Sequence, residues 1–468
     1  MNARTRAALD DLAGALDLQS QLDPVATRRW RRALDGDGRP TLQLDDVSAI
    51  PFLVDIAGVE LYQHRARVRA KSGDIFAAVT PAVDGYEEYC RALGFGEPEL
   101  IICEPSGTSL QVARAVGAGR AYQRLVSRAR EAGGMIVHPY MANEDVWELA
   151  EKLERDVGHV TVIGPPAPVT WIANDKQLFS EVAERTLGRE WLVETQTQRD
   201  PAGLAAALRD LAGRHEQVGL KRTRCASAMG NAVFDAPGLR AEPAAETEAA
   251  VRAFLLRTEW DGNEDVLAVG WEQTDISPST QMWIPPAELG PPRLDGVYEQ
   301  ILQGPEKVFV GSRPSTLGDD VNRRIGDAAV KVAESLQYLG YTGRCSFDHL
   351  VVDDRVLFTE CNGRWGGTST PMSMVDRLLR SPRPRPAYRA QDFIHEGLVG
   401  ARFIDILDAA RRSLFDPETR TGHFVFYNVG PLEQYGKLDV IAFGWSGQDE
   451  AEEALLETLP KLLGLCVS

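Results

Sequence analysis

Short apolar runs recur along the first third of the chain: Pro51-Phe52-Leu53-Val54, Glu99-Leu100-Ile101-Ile102, Met135-Ile136-Val137 and His159-Val160-Thr161-Val162-Ile163-Gly164. Between the later runs, residues 120–131 and 143–156 carry apolar positions at helical spacing. This alternation predicts a mainly parallel sheet covered by helices. Residues 1–20 read as an amphipathic helix, charged throughout and without the continuous apolar core of a signal peptide.

A second pattern begins near Trp171. It predicts a helix over 175–187, a strand over 190–195, a helix over 203–215, and strands at 217–221 and 231–234 flanking the small-residue turn 225–230. A helix at 245–257, an apolar strand at 265–270, a polar hinge at 271–275, a strand near 281–284 and a long helix at 319–339 follow. Such a unit is α+β with mostly antiparallel pairs. Residues 377–390, RLLRSPRPRPAYRA, hold three alternating prolines, which predicts an extended linker unable to pair as a strand. Two more strands, 423–429 and 438–443, and a helix at 449–463 complete the chain. The expected organisation is an α/β domain over 1–170, a central α+β domain over 171–376, a linker over 377–391 and a small α+β domain over 392–468.

The segment from Ser346 to Asn362 is apolar on both faces except at its open end. If Asp353-Asp354-Arg355 is a three-residue connection, Val352 pairs with Val356 and Asp348 falls opposite Glu360, with Asn362 on the same face. A two-residue turn would shift the register by one and send the acids to opposite faces. Carboxylates opposed across a buried strand pair need a cation between them, and two acids with an amide oxygen suit magnesium on nucleotide phosphates. His349, on the opposite face from Asp348, reads as a packed core residue.

Length and charge sharpen this picture. At 468 residues the chain exceeds the roughly 250–300 that one core supports, so several domains are expected. With 44% hydrophobic and 25% charged residues it has an ordinary globular composition. Its 51 Lys and Arg against 68 Asp and Glu give −17, a field that disfavours nucleic acid and anionic membranes as partners. Phosphates must therefore meet a local basic pocket, for which Lys176, Lys221, Arg222 and Arg224 are the candidates. Lys221 ends a strand before a loop whose Ala226, Ser227, Ala228 and Gly230 let backbone amides approach a phosphate; Lys176 stands at a helix start, where the dipole favours anions. The six cysteines form no C-x-x-C pair, which argues against zinc and disulfides and fits a reducing cytoplasm. No stretch approaches the ~20 apolar residues of a membrane span. Gly117-Ala118-Gly119 sits in a helical context with no third glycine and reads as a helix junction rather than a dinucleotide loop. The arginines 377, 380, 383, 385 and 389 read as a solvated linker.

The order of these features resembles the ATP-grasp superfamily of carboxylate–amine ligases: a lysine opening the first subdomain, a second before a small-residue loop, a hinge, then a hairpin with Asp and Glu-x-Asn. The segment Thr359-Glu360-Cys361-Asn362-Gly363-Arg364 is similar to the family's metal-binding and substrate-facing pattern. The resemblance spans residues 160–375 and implies an ATP-grasp fold with two α+β subdomains, preceded by a pre-ATP-grasp-like α/β domain and followed by a small α+β extension. It implies that Lys176 and Lys221 contact ATP phosphates, that the 225–230 loop closes over them, that Glu272 lines the adenine pocket, that Asp348, Glu360 and Asn362 hold Mg2+, and that Arg364 faces an acyl phosphate. Two departures stand out: the loop has a single glycine, and Gly363 follows Asn362 where the family frequently has proline. Over its whole length the chain resembles peptide ligases of pheganomycin-type biosynthesis, which implies an amino-acid substrate, a peptide acceptor and room for a homodimer. The rival readings are an ATP-grasp kinase acting on a hydroxyl and a nucleotide-binding regulator without turnover. Substrate contacts are expected from loops at 277–281 and 311–315.

Overall fold

A computed structural model describes residues 1–22, 38–53, 56–225, 228–304, 307–379 and 385–465. Five parallel strands, β1 (Thr41–Leu44), β2 (Ile75–Ala78), β3 (Glu99–Ile102), β4 (Met135–Pro139) and β5 (Val160–Val162), form the first sheet in the order β3-β2-β1-β4-β5. Helices Gly119–Glu131 and Glu144–Val157 cover it, burying Leu125, Val146, Leu149 and Leu153 against Leu42, Val137 and Val162. The expected strand at 51–54 is absent: residues 51–53 turn, with Phe52 at a φ of 65°, and residue 54 lies outside the described residues. Leu53 instead joins Val47, Ile50 and Val59 in a small cluster. β1 and β2 have four residues each, too few to betray themselves by alternation.

Four antiparallel strands, β6 (Thr195–Gln198), β7 (Gln217–Arg222), β8 (Asn231–Asp235) and β9 (Val266–Gly270), make a small sheet in the order β6-β9-β7-β8. Helices Pro201–Ala212 and Ala244–Arg257 bury Leu204, Leu208, Val251 and Phe254 on one face of it. The strand expected at 190–195 begins only at Thr195. Trp191 and Leu192 lie before it, in a 3-10 turn and an extended residue, and pack under the large sheet.

That sheet has eight strands: β10 (Pro278–Ile284), β11 (Arg293–Gln303), β12 (Val308–Pro314), β13 (Gly343–Val352), β14 (Arg355–Asn362), β15 (Ala387–Ile394), β16 (Phe424–Tyr427) and β17 (Lys437–Gly444), all paired antiparallel in the order β14-β13-β10-β11-β12-β15-β17-β16. Helices Lys176–Leu187 and Asp319–Tyr338 pack Phe179, Val182, Val332 and Leu336 against Phe347 and Phe358. The sheet corrects two expectations. Residues 387–391 of the supposed linker belong to β15, whose eight residues pair with β17, so the C-terminal strands extend the central sheet. The supposed loops 277–281 and 311–315 fall mostly in β10 and β12. Three arginines of the linker are also described and engaged: Arg377 bonds Ala70 O and Phe95 O at 3.2 Å, Arg385 pairs with Asp376, and Arg389 bonds Gln391 at 2.6 Å. Arg380 and Arg383 lie outside the described residues. None of the described helices is long and apolar enough to cross a membrane.

The β12–β15 seam depends on Gly311, where an added Cβ would lie 2.4 Å from Ala390 O and 2.8 Å from Gln391 Cβ. Gly311→Val should push the seam apart and destabilise the protein by about 1–3 kcal/mol, as overpacked sites do. Urea unfolding measures the loss, and limited proteolysis should now cut between β12 and β15.

Candidate active site

The small sheet, the large sheet and segments outside the strands of the first sheet line one cavity of about 680 Å3. Lys176, Lys221, Glu272, Asp348, Glu360, Asn362, Arg364 and Ala228 all line it, so eight of the thirteen candidates singled out from sequence come together. Gly230 stands behind the wall, packed on Cys225, and Ala226 and Ser227 lie outside the described residues.

Asp348 on β13 faces Glu360 on β14, and Ser346 faces Asn362. The route to this register differs from the expected one. Val352 pairs with Arg355, so the connection is the two-residue turn Asp353-Asp354, with Asp353 at a φ of 52°. Such a turn alone would separate the acids. A bulge then leaves Thr359 unmatched between the pairs His349–Phe358 and Asp348–Glu360, which returns the acids to one face. Thr359 Oγ1 donates to Asp348 O at 3.1 Å and fastens the bulge. His349 is fully buried on the other side, edge-on to Phe358 with ring centroids 4.4 Å apart, and burial pushes its pKa down to about 3.

Lys176 Nζ lies 2.8 Å from Glu360 Oε2 and also reaches Cys225 O at 3.3 Å. Asp175 caps this helix, accepting from Gln177 N and Leu178 N, so the lysine leaves the first turn pointing at the hairpin. Burial disfavours the Lys176 charge, but Cys225 and Glu360 more than offset it and its pKa rises. Glu360 responds oppositely: burial acts upward, yet Lys176, Lys221 and Arg364 hold its carboxyl below the usual range. Asp348 has no such partner. Burial, then the Glu360 charge, push it up to about 7, although Asn362 Nδ2 donates to its Oδ2 at 3.0 Å. One acid of the facing pair thus lacks a counter-charge, a deficit that a divalent cation between Asp348, Glu360 and the Asn362 amide would fill with hard oxygen donors.

Lys221, on β7, sits over the Trp271 ring, 4.9 Å from its centroid, and has no ion-pair partner within 4 Å among the described residues. Burial and the neighbouring Lys176 lower its pKa. The Glu360 and Asp348 charges act the other way, and a lysine held beside another cation without a direct ion-pair partner is a candidate for holding an anion. Arg222 and Arg224 are not free for such a role: Arg222 bonds Glu264 and Thr258 O, and Arg224 pairs with Asp175 at 3.0 Å while stacked 4.5 Å from the Trp171 centroid. Glu272, in the segment after β9, lies 3.6 Å from Arg355 across the cavity mouth.

Asn174 carried no signal in the sequence beyond its place at a helix junction. Its Oδ1 accepts from Gly363 N at 3.1 Å and Arg364 Nη1 at 2.5 Å, and its Nδ2 donates to Thr170 O at 2.8 Å and Gly363 O at 3.2 Å. This one amide orients Arg364. It also explains the glycine: a Cβ at 363 would come within 2.6 Å of Asn174 Nδ2 and 2.7 Å of Ala173 Cβ.

A family model described as a pre-ATP-grasp domain matches residues 63–155. No curated protein sequence matches the chain. Solved structures similar to it include a biotin carboxylase in complex with β,γ-ATP from Campylobacter jejuni, with a TM-score of 0.54 at 13% identity over 91% of both chains. The carboxyaminoimidazole ribonucleotide synthase of Aspergillus clavatus, complexed with ATP, matches with a TM-score of 0.54 at 12% identity over 91% of this chain and 98% of its own. The N5-carboxyaminoimidazole ribonucleotide synthetase of Thermus thermophilus matches with 0.52 at 16% identity over 90% and 98%. The chain accordingly combines a pre-ATP-grasp domain with an ATP-grasp fold.

Asn174→Ala should leave Arg364 and the Gly363 peptide without partners and lower stability by about 1–3 kcal/mol, the usual consequence of orphaned buried polar groups. Chemical denaturation checks the magnitude, with an unchanged m-value expected.

Proposed function

We propose that the chain is an ATP-dependent carboxylate–amine ligase that activates an amino-acid carboxylate as an acyl phosphate and joins it to the N-terminal amine of a peptide, releasing ADP and phosphate. The observation that carries this reading is the convergence of Lys176, Lys221 and Arg364 on the Asp348–Glu360 pair within one cavity. The ATP-grasp fold supports nucleotide-driven ligation in general. The peptide acceptor and a place in peptide natural-product biosynthesis rest on the whole-chain resemblance to pheganomycin-type ligases.

In this reading the cavity receives ATP with its phosphates toward the lysines. Lys221, without a direct ion-pair partner among the described residues, takes a phosphate oxygen, and Lys176 bridges phosphate and Glu360. Asp348, Glu360 and Asn362 would hold magnesium, which would supply neutralisation of phosphate charge. A substrate carboxylate oxygen attacks the γ-phosphorus as the bond to the β-phosphate oxygen breaks, leaving ADP and an acyl phosphate. The amine nitrogen then adds to the acyl carbon, phosphate departs, and the amine loses a proton to give the amide. Arg364, oriented by Asn174, donates to the acyl phosphate or to the oxyanion formed on the way, where a bidentate guanidinium is most useful.

Two measurements test this. Hydroxylamine added to enzyme, ATP and an amino-acid substrate should give a hydroxamate, since only an acyl phosphate is trapped in that way; a phosphorylated hydroxyl with no hydroxamate would establish a kinase instead. Glu360→Ala should lower substrate-dependent ADP release on the order of 100-fold or more, given the size of such electrostatic contributions. Release at the parental rate would remove Glu360 from the site.

A further inference from the structure

The same cavity reaches the C-terminal strands, where a second pair of carboxylates stands face to face. Asp392 on β15 lies opposite Asp439 on β17, and both line the cavity together with Lys437, Tyr427, Tyr62 and Arg65. The charges there are unequally shared. Lys437 Nζ binds Asp392 Oδ2 at 2.6 Å and also contacts the Tyr62 hydroxyl. Arg65 is engaged by Asp45 through two hydrogen bonds of 2.9 and 3.2 Å, its guanidinium 4.6 Å from the ring centroids of both Tyr62 and Tyr140. Asp439 is left with one neutral donor, Asn428 Nδ2 at 3.1 Å on its Oδ2.

Asp439 is only 6% exposed, and its Oδ1 has no hydrogen-bond partner among the described residues; nor has Oδ1 of the fully buried Asn428 beside it. Two acceptors without donors are costly in a protein interior unless something is built to fill them. Burial, then the Asp392 charge, hold the Asp439 carboxyl well above the usual range even though Lys437 and Arg65 act the other way from their own acid partners, so the pair is short of one positive charge as well as of N–H donors. A primary ammonium group offers both, with three donors and a unit charge.

We infer that Asp439, backed by Asp392 and Asn428, is a binding site for a primary ammonium group, one that an amino-acid or peptide substrate carries in addition to the amine acylated at the Arg364 end. The inference deepens the ligase reading, resting on it for the identity of the molecule that carries the ammonium. The site communicates with the Arg364 end through few intermediaries: Trp365 N donates to Tyr140 O at 2.9 Å, and the Tyr140 ring lies under Arg65, whose charge acts on Asp439.

The test uses the full-length protein with Mg2+ and a non-hydrolysable ATP analogue, and follows binding of glycinamide, tetraalanine and N-acetyl-tetraalanine by ligand-observed NMR. The free amines should bind and the acetylated peptide should not. Asp439→Asn should weaken the free-amine probes at least about tenfold, the scale of one lost charge-assisted hydrogen bond, while nucleotide affinity stays at the parental value and reports an intact fold. The variant should also melt at a higher temperature, since it removes a like-charge contact from the interior. Response to glycinamide alone marks a small amine, and response to tetraalanine marks a peptide; both support the site. Equal binding of the acetylated peptide, no binding of any free amine, or amine binding retained by a less stable Asp439→Asn would overturn it. Glu360→Ala separates the two readings, because it should impair nucleotide binding and leave amine binding intact. A parent that binds amines but no nucleotide would end the ligase reading alone.

Discussion

Asp348 and Glu360, opposed across one strand pair and half-buried in the cavity, repel each other at short range, and the neighbouring elements are arranged around that repulsion. Lys176 answers half of it through its 2.8 Å contact with Glu360. That contact requires the helix start capped by Asp175, and the same helix start is tied to the small sheet, since Lys176 N donates to Thr223 O at 2.9 Å just beyond β7. The helix start therefore ties the small sheet to the large one. The unanswered half, on Asp348, is a stability cost of the kind proteins retain where a ligand supplies the missing charge.

Much of this arrangement was legible in the sequence because it follows from local patterns. The facing acids, the lysine at a helix start and the lysine at a strand end each rest on spacing within about ten residues. The agreement over register is partly accidental, however. A three-residue turn and no bulge predicts the same facing pair as the observed two-residue turn with Thr359 bulged, and alternation alone cannot tell them apart. What escaped notice depended on distant partners. Asn174 matters because the chain returns to it 189 residues later at Gly363. Arg222 and Arg224 resembled phosphate ligands until Glu264 and Asp175 were seen to hold them.

The strands missed or misplaced have a common physical cause. β11 and β12 are mostly half-buried, so neither face carries the apolar repeat that marks a strand. β15 follows closely on a proline-rich stretch, which disguised residues that pair along their whole length with β17. Propensity describes what a segment prefers alone; here an open sheet edge offered eight backbone partners, and pairing prevailed.

The continuity of the large sheet sets a scale for what the cavity can hold. From β13, which carries Asp348, to β17, which carries Asp439, there are five strand-to-strand steps. At ~4.8 Å per step the two acid pairs are separated by about 24 Å of sheet measured across the strands, the length of roughly seven extended residues. The strand count thus acts as a gauge: the span a substrate must bridge to touch both ends is set by the backbone hydrogen bonds of the sheet and not by any side chain that mutation could trim.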